Sequence, residues 1–306
     1  MLLANDLRPS RALGQNFVAD GNTVRRIAHL AGVTDGGRVV EIGAGLGSLT
    51  LALVEAGASV TAVEIDRRIV PVLRSQVEPL GVRVVEADAL TLDWGALLGA
   101  ESWSLVANLP YNVAVPLVMR VLEEAPQVTS LLVMVQREVG ERLAARAGDE
   151  AYGAVSVKVA YWATAQLVGR VSASVFIPRP RVESVLVRMD RRPERASGPG
   201  PGSEVYDRLF SVVRGGFAHR RKMLRRSLED LVRPEAFEAV GIPSTARAEE
   251  LGLDQWERLA AWIDRPPGST GSPGSPGSVG LPESPGSRVS PGRSGSPDSP
   301  APPAGR

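Results

Sequence analysis

Short apolar runs of strand length alternate with runs of helical periodicity along the first two thirds of the chain. The predicted strands are residues 38–42, 59–65, 82–87, 103–107, 130–136 and 182–189. The predicted helices are residues 49–56, 113–124, 138–147 and 152–162. Alternation of this kind is typical of a parallel sheet covered by helices on both faces. We therefore expect an α/β fold, a doubly wound Rossmann-like domain over residues 1–196.

The pattern changes after residue 196. A Gly/Pro/Ser-rich break at residues 197–203 is followed only by helical patterns, at residues 204–213, 220–231 and 254–263. These predict a small all-helical domain at residues 203–264. From residue 266 onward Gly-Ser-Pro units repeat without an aromatic residue. Such a composition buries too little apolar area to offset its ordering entropy, so residues 265–306 are expected to form a disordered tail, with an inert tail favoured over an RNA-binding one.

Composition narrows the class of protein. The chain has 306 residues, of which 43% are hydrophobic, but no apolar run reaches the ~20 residues of a membrane helix. The first residues lack the pattern of a signal peptide, so a soluble, cytoplasmic protein is expected. The absence of cysteine excludes disulfides and thiolate sites, and the two histidines, His29 and His219, have no metal-ligand spacing. No metal site is expected.

A glycine-rich loop follows the first long predicted strand. Gly43, Gly45 and Gly47 alternate with other residues just before a helical run, where a backbone can turn sharply and approach a ligand. The spacing is G-x-G-x-G and differs from the G-x-G-x-x-G of dinucleotide-binding loops, although that alternative stays open. Glu64 ends the next strand, where a carboxylate can accept hydrogen bonds from both ribose hydroxyls of an adenosine. Asp88 follows the third strand at the same edge of the sheet.

The segment Asn108-Leu109-Pro110-Tyr111 lies between a predicted strand and a predicted helix. Pro110 favours an extended Leu109, whose carbonyl can then lie beside the Asn108 amide oxygen. Two such acceptors could hold both hydrogens of an aryl amine and leave its lone pair free to attack, while Tyr111 stacks on the ring. An ordinary turn, with Asn as a cap and Pro starting the helix, is the competing interpretation. An NAD enzyme would give this segment no role, whereas S-adenosylmethionine requires an acceptor amine beside its methyl group.

Six segments together resemble the ribosomal RNA adenine N6-dimethyltransferases, over about residues 11–264. They are Leu13 to Phe17, Glu41 to Gly47, Val63 to Asp66, Ala87 to Ala89, Asn108 to Tyr111 and Phe176 to Pro180, joined by the stretch from Phe217 to Leu228. The resemblance implies S-adenosylmethionine as the cofactor. It implies cofactor contacts by Asn16, Val18, Gly43, Glu64, Asp88 and Asn108, to which the glycine loop adds Gly45 as a candidate. Leu is usual where Val18 stands, a conservative change if the contact is made by the backbone.

The same resemblance implies that Phe176 stacks on the target adenine opposite Tyr111, although a core aromatic beside two prolines is the alternative. With Asn108, Leu109 and Pro110, these residues form the predicted catalytic set. The adenine must leave its stack to enter the pocket, which is easiest from a hairpin loop. No general base is needed, since the methylated nitrogen is acidic enough to lose its proton to solvent.

A basic segment gives the chain its candidate RNA contact, although the formal net charge is only +1. Thirteen residues from Arg214 contain no acid, and the cations predicted to contact RNA there are Arg220, Arg221, Lys222, Arg225 and Arg226. Leu224, Leu228 and Leu231 recur at i, i+4 and i+7, which predicts a basic helix with one buried stripe. A solvated helix face is the usual meaning of such a run. Phosphate contact is favoured because the resemblance covers the segment.

Three functions remain open. The first is dimethylation of two adjacent adenosines near the 3′ end of small-subunit rRNA by a monomer acting on the assembling particle. The second is the related large-subunit rRNA methyltransferase of macrolide resistance, which more often has Ile at the position of Leu109. The third is an assembly or transcription factor that kept the fold without catalysis, although the intact set of Gly43, Glu64, Asp88 and Asn108 argues against it.

Overall fold

The structure is a computed structural model that describes residues 7–10, 13–110, 112–219, 222–243 and 245–263. The strands are β1 (Phe17–Val18), β2 (Arg38–Ile42), β3 (Ser59–Glu64), β4 (Arg83–Glu86), β5 (Trp103–Asn108), β6 (Val128–Gln136), β7 (Ala163–Val171), β8 (Phe176–Ile177) and β9 (Ser184–Arg191). The helices are α1 (Gly21–Leu30), α2 (Ser48–Glu55), α3 (Val70–Val77), α4 (Trp94–Leu98), α5 (Ala114–Glu124), α6 (Arg137–Ala144), α7 (Ala154–Trp162), α8 (Glu204–Ala218), α9 (Leu224–Ser227), α10 (Pro234–Ala239) and α11 (Leu253–Ala260).

Within these residues, seven strands form one sheet in the order β4-β3-β2-β5-β6-β9-β7. The five strands from β4 to β6 are parallel, and β9 runs antiparallel between β6 and β7. The reversal of strand order next to β2 brings the carboxyl ends of β2, β3 and β5 to one edge, where doubly wound sheets bind ligands. The predicted α/β doubly wound fold is confirmed.

The side chains of successive residues in a strand point to opposite faces of the sheet, and a separate hydrophobic core covers each face. Val106 packs with Leu53 of α2 and Leu73 of α3 on one face. Its neighbours Leu105 and Ala107 pack on the other face with helices that include α5, α7 and α8. Because both faces are covered, the central strands are buried on both sides and mostly apolar, as is typical of a doubly wound sheet.

The helical segment after residue 203 shares the second of these cores. Phe210 of α8 and Trp256 of α11 belong to the same buried cluster as Leu117 of α5 and Tyr161 of α7. The Tyr206 hydroxyl also donates to the Glu123 carboxylate at 2.6 Å. The boundary at residues 197–203 stays a prediction about domains, but the two segments are packed together over an extensive apolar surface.

The prediction of one long helix over residues 220–231 is wrong for the part that the structure describes. Only Leu224–Ser227 is helical there, and Met223 before it has extended backbone angles. The Leu224 N–H donates to the Ala246 carbonyl at 2.8 Å, a tertiary bond in place of the one that a continuing helix would make. Leu224 and Leu228 are buried as predicted, but Leu231 is 40% exposed.

Only helices follow residue 203 within the described residues, as expected. The predicted tail, residues 265–306, lies outside the described residues. Among those described, no helix has the length and apolarity to cross a bilayer, and no cluster of three potential metal ligands occurs.

Candidate active site

One cavity lies at the carboxyl edge of the sheet, and most of the residues predicted to form the site line it. Those lining it are Asn16, Val18, Gly43, Gly45, Glu64, Asn108, Leu109, Pro110 and Phe176. They come from the ends of β2, β3 and β5, from β1 and from β8, so five separate parts of the chain converge there. The sheet topology brings together residues that are up to 160 positions apart in the sequence.

The glycine loop between β2 and α2 depends on left-handed backbone. Gly43, Gly45 and Gly47 have φ of 72°, 58° and 85°, a region that other residues rarely adopt. A Cβ added at Gly45 would lie 3.0 Å from the Phe17 ring. The loop therefore needs glycine at this position both for its conformation and for the approach of the N-terminal segment.

Glu64 is fixed by backbone donors on both sides. Its Oε2 accepts from the Gly45 N–H at 2.8 Å and its Oε1 from the Asp66 N–H at 2.9 Å. The side chain is 5% exposed, and burial raises its pKa in spite of these hydrogen bonds. Each oxygen has a second lone pair, so the carboxylate can still accept from a diol in the cavity.

Glu41 is a second buried carboxyl group in the cavity lining, and the sequence analysis assigned it no role. Burial raises its pKa to about 8, the neighbouring Glu64 carboxylate adds to that shift, and Thr50 opposes it. Its Oε2 has no hydrogen-bond partner among the described residues. Position alone could have flagged it, since it lies within the apolar β2 run, one residue before its end, where an acid is unusual unless it has a role in a site.

Asn108 is oriented by the N-terminal segment. Its Nδ2 donates to the Asn16 carbonyl at 2.9 Å. Because a carbonyl can only accept, this contact identifies the amide nitrogen and directs Oδ1 away from Asn16. The Leu109 N–H continues the ladder to the Met134 carbonyl, and the Pro110 carbonyl accepts from Val113 and Ala114 to begin α5. The segment is thus both a strand-to-helix turn and part of the cavity wall, so the two interpretations of it are compatible.

The loop before β1 packs on that turn. A Cβ at Gly14 would lie 3.1 Å from Pro110 Cβ. Gln15 donates through Nε2 to Asp66 Oδ2 at 2.9 Å, which ties the loop to the end of β3. Hydrogen bonds from Arg68 and then Gln15 hold the pKa of Asp66 at about 2. Sequence reasoning used Gln15 and Asp66 only as parts of motifs and missed this tie, because partners 51 residues apart leave no periodic signal.

Phe176 reaches the cavity through a two-stranded pairing. β1 and β8 are antiparallel, with Val18 opposite Phe176 and Phe17 opposite Ile177. Phe176 is 4% exposed and packs in the core that includes Val18. It is therefore a core aromatic that also forms part of the cavity wall, and its stacking role stays a prediction.

Several predicted residues are not in the lining. Asp88 is absent from the described residues around the cavity, and its Oδ1 accepts from the Leu90 N–H at 2.8 Å. Its role as a cofactor contact stays a prediction. Tyr111, Arg220 and Arg221 lie outside the described residues. Of the remaining predicted RNA contacts, Lys222, Arg225 and Arg226 are exposed and none of them lines the cavity.

The charge of the cavity favours a cationic ligand. Among the described residues its lining has neither lysine nor arginine; it includes the Glu64 carboxylate and the Glu41 carboxyl group, whose raised pKa keeps it mostly neutral at pH 7. A pyrophosphate-containing dinucleotide would face the Glu64 carboxylate without a compensating side-chain cation. A sulfonium-bearing adenosine fits better, because a carboxylate can hold its ribose while the acidic surroundings favour its positive charge.

Comparison with known proteins decides the family. The profile described as ribosomal RNA adenine dimethylase matches residues 7–265. The chain belongs to this family. Relatives named ribosomal RNA small subunit methyltransferase A include one from Leifsonia xyli subsp. xyli, 46% identical over 83% of this chain and 92% of its own length. Another, from Cutibacterium acnes, is 46% identical over 83% of this chain and 88% of its own length.

Solved structures agree with the fold of the family. The 23S rRNA methyltransferase ErmE aligns with a TM-score of 0.64 at 27% identity, over 81% of this chain and 100% of its own. A dimethyladenosine transferase from Plasmodium falciparum aligns with a TM-score of 0.67 at 22% identity, over 79% of this chain and 95% of its own, and supports the fold alone. The resemblance found from the sequence motifs is confirmed. This adenine dimethylase family member is a methyltransferase with S-adenosylmethionine as its cofactor.

Proposed function

We propose that this chain dimethylates N6 of two adjacent adenosines in a hairpin loop near the 3′ end of small-subunit (16S) rRNA, and so contributes to small-subunit biogenesis. The observation that carries the proposal is the orientation of Asn108 in a cavity of acidic character, in a chain 41–46% identical to relatives named as small-subunit methyltransferases. We infer that it acts as a monomer in the cytoplasm on the assembling small-subunit particle.

The proposed cofactor site uses residues from three strand ends. Glu64 accepts from the ribose hydroxyls, and the glycine loop lets the backbone approach the ligand closely. Asn16 and Val18, which line the cavity, and Asp88, which is not among the described lining residues, complete the proposed contacts. When bound, S-adenosylmethionine supplies an electrophilic methyl group on its sulfonium.

The proposed transfer requires only that the chain hold the amine. Asn108 Oδ1 and the Leu109 carbonyl accept the two N–H groups of the adenine, which directs the nitrogen lone pair toward the methyl group. Tyr111 and Phe176 stack on the two faces of the extruded base, where each stacking contact contributes roughly 1–3 kcal/mol. Asn108 does not titrate, and the proton is lost to solvent after transfer.

The second methylation places a demand on this pocket. A monomethylated amine has one N–H left to share between Asn108 and the Leu109 carbonyl, so it must rotate before it presents its lone pair again. Formation of dimethyladenine would therefore show that the pocket has enough room for the monomethylated amine to rotate. We expect N6,N6-dimethyladenine at both neighbouring positions.

Large-subunit rRNA is the second candidate substrate, because ErmE, a 23S rRNA methyltransferase, shares the fold at 27% identity. Purified protein, S-adenosylmethionine and either unmethylated small-subunit particles or large-subunit RNA should be combined and the products identified by mass spectrometry. Dimethyladenine in the small-subunit particle is the expected product. Methylation confined to large-subunit RNA would move the assignment to that substrate, and cofactor binding without any methylation would indicate an assembly factor.

A further inference from the structure

The loop between β8 and β9 has two arginines and begins two residues after Phe176, which lines the cavity. We refer to residues 178–183, Pro178-Arg179-Pro180-Arg181-Val182-Glu183, as the rim loop. Both arginines are exposed. The catalytic set uses Phe176, immediately before β8 ends, but gives the rim loop no role.

Both ends of the rim loop are fixed beside the cavity. At its start, β8 pairs with β1, so Phe176 lies opposite Val18, and both line the cavity. At its end, Ser184 pairs with Gln136, the last residue of β6. That point is two residues beyond Met134, which pairs with Asn108. The rim loop therefore leaves from the wall that carries Phe176 and returns next to the strand end that carries Asn108.

The backbone of the rim loop is restricted by its prolines. Pro178 and Pro180 have fixed φ, and each also disfavours helical angles at the residue before it, which includes Arg179. The Glu183 carbonyl accepts from the Arg137 N–H at 3.1 Å, which ties the last residue to the start of α6. A loop restricted in this way loses less entropy when it binds a ligand than an unrestricted one.

The rim-loop arginines differ from many other exposed arginines in their lack of acidic partners. Elsewhere Arg38 pairs with Glu101, Arg67 with Glu86, Arg74 with Glu78, and Arg137 with Glu141. Within the described residues, neither Arg179 nor Arg181 has an ion pair. The rim loop has these two cations and one acid, Glu183, so it has a net positive charge in a chain whose formal net charge is only +1.

We propose that Arg179 and Arg181 bind the backbone phosphates that flank the extruded adenosine. The inference rests on the proposed function, since it takes single-stranded RNA entering the cavity as given. A base can reach Asn108 only if its strand crosses the cavity edge, and phosphate contacts of this kind fix register and orientation without reading sequence. The rim loop thus positions the substrate, while the Phe217 to Leu228 segment supplies a separate contact farther along the chain.

The test compares two double variants that remove the same charge. Arg179→Gln/Arg181→Gln removes both rim-loop cations. Arg38→Gln/Arg83→Gln removes two exposed cations from the first residues of β2 and β4, at the opposite edge of the sheet. S-adenosylmethionine affinity, measured by calorimetry, should equal that of the unmodified protein in both, because neither pair lines the cavity.

The rim-loop variant should raise KM for the small-subunit particle by about tenfold or more and lower the slope of log K against log salt by roughly 1–2 units, with kcat changed less. The matched control should change neither. Arg179→Lys/Arg181→Lys should recover most of the affinity, since it keeps the charge.

If Arg179→Gln/Arg181→Gln has the same KM and salt slope as the control, the inference is overturned. It is also overturned if Arg179→Lys/Arg181→Lys binds the small-subunit particle as weakly as the glutamine variant. Failure of the proposed function looks different. In that case the unmodified protein itself would not methylate the small-subunit particle.

Discussion

Glu64 is held by the Gly45 and Asp66 N–H groups before any ligand arrives, so its carboxylate is preorganised for a ribose. Glu64→Ala should weaken S-adenosylmethionine binding by roughly 1–3 kcal/mol through loss of charge-assisted hydrogen bonds, while the protein stays folded. Calorimetric titration gives the affinity, and circular dichroism checks the fold. A folded variant that binds the cofactor as tightly as the unmodified protein would remove Glu64 from the ribose role.

Asn108 is the residue on which transfer depends. Asn108→Ala removes the acceptor for the amine and also the donor to the Asn16 carbonyl, so methyl transfer should fall by about a hundredfold or more. Affinity for RNA should change little, because phosphate contacts dominate it. Single-turnover methylation and RNA-binding assays separate the two effects. Near-normal turnover would refute the proposed mechanism, because no other side chain is assigned to hold the amine.

Glu41 makes stability depend on pH in a specific direction. Its pKa is raised to about 8 in the folded protein from an ordinary value of 4.5, so the folded state retains a proton that the unfolded state loses. The stabilisation linked to this proton is complete below pH 4.5 and is lost as the pH rises through 8.

Glu41→Gln does not titrate, so its stability relative to the unmodified protein should increase between pH 5 and pH 9, by roughly 2–4 kcal/mol. Urea denaturation at several pH values measures the difference. Asp66→Asn is the control, because the pKa of Asp66 is shifted in the opposite direction, from an ordinary value of 3.8 to about 2. The ionised Asp66 therefore contributes the same stability at every pH from 5 to 9, and the stability difference for this variant should not change over that range. A difference for Glu41→Gln that stays flat with pH would show that Glu41 is not protonated in the folded protein.

The basic segment around α9 does not form the long helix that was predicted, but its exposed cations can still contact RNA phosphates. Lys222, Arg225 and Arg226 are exposed; the two arginines lie on the short helix α9, and Lys222 lies just before it. The buried Leu224 and Leu228 anchor this segment in the core. Replacing these three cations with Gln should lower affinity for the small-subunit particle and reduce the salt slope by roughly 1–2 units if two phosphate contacts are lost.

Binding isotherms at several salt concentrations measure this effect. Deletion of residues 266–306, which removes Arg288, Arg293 and Arg306, serves as the control and should leave affinity and slope unchanged. An unchanged slope in the triple variant would mean that the basic segment is a solvated surface.

The elements found from sequence were those with a strong apolar period. β2 was predicted with its observed bounds, and β3, β5 and α5 were within one residue at each end, because burial makes their patterns regular. β7 was missed because it is an edge strand with mostly exposed or half-buried residues and a register shift between Leu167 and Gly169. The pairing of β1 with β8 could not be predicted from periodicity, since each strand has two residues.

Most residues of the candidate site could be predicted from the sequence, for a reason other than apolar periodicity. Glycines and a terminal Glu64 mark strand ends, and strand ends of a parallel sheet meet. The contacts between Gln15 and Asp66 and between Asn108 and Asn16 depend on how the N-terminal segment packs over the site, which no local pattern encodes. Glu41 was quoted in a motif, but its unusual pKa follows from burial beside Glu64, a property of the folded sheet.

The helical segment and the sheet share one buried core, so we expect them to unfold together. Tyr161 of α7 packs against both Tyr206 and Phe210 of α8, with ring centroids 5.4 and 5.6 Å apart. The Tyr152 hydroxyl donates to the Leu251 carbonyl at 2.8 Å, which links the start of α7 to the segment before α11. Removing the helical segment would expose this aromatic surface and leave buried polar groups without partners.

Differential scanning calorimetry of the full chain should therefore show one cooperative transition, with equal calorimetric and van't Hoff enthalpies. A chain ending at residue 202 should have a Tm lower by roughly 10 °C or more, or no cooperative transition, since each buried aromatic lost costs about 3–5 kcal/mol. A chain ending at residue 265 is the matched control and should unfold like the full chain. Two separate transitions in the full chain, or a truncated chain as stable as the control, would show that the predicted division near residues 197–203 separates two independent folding units.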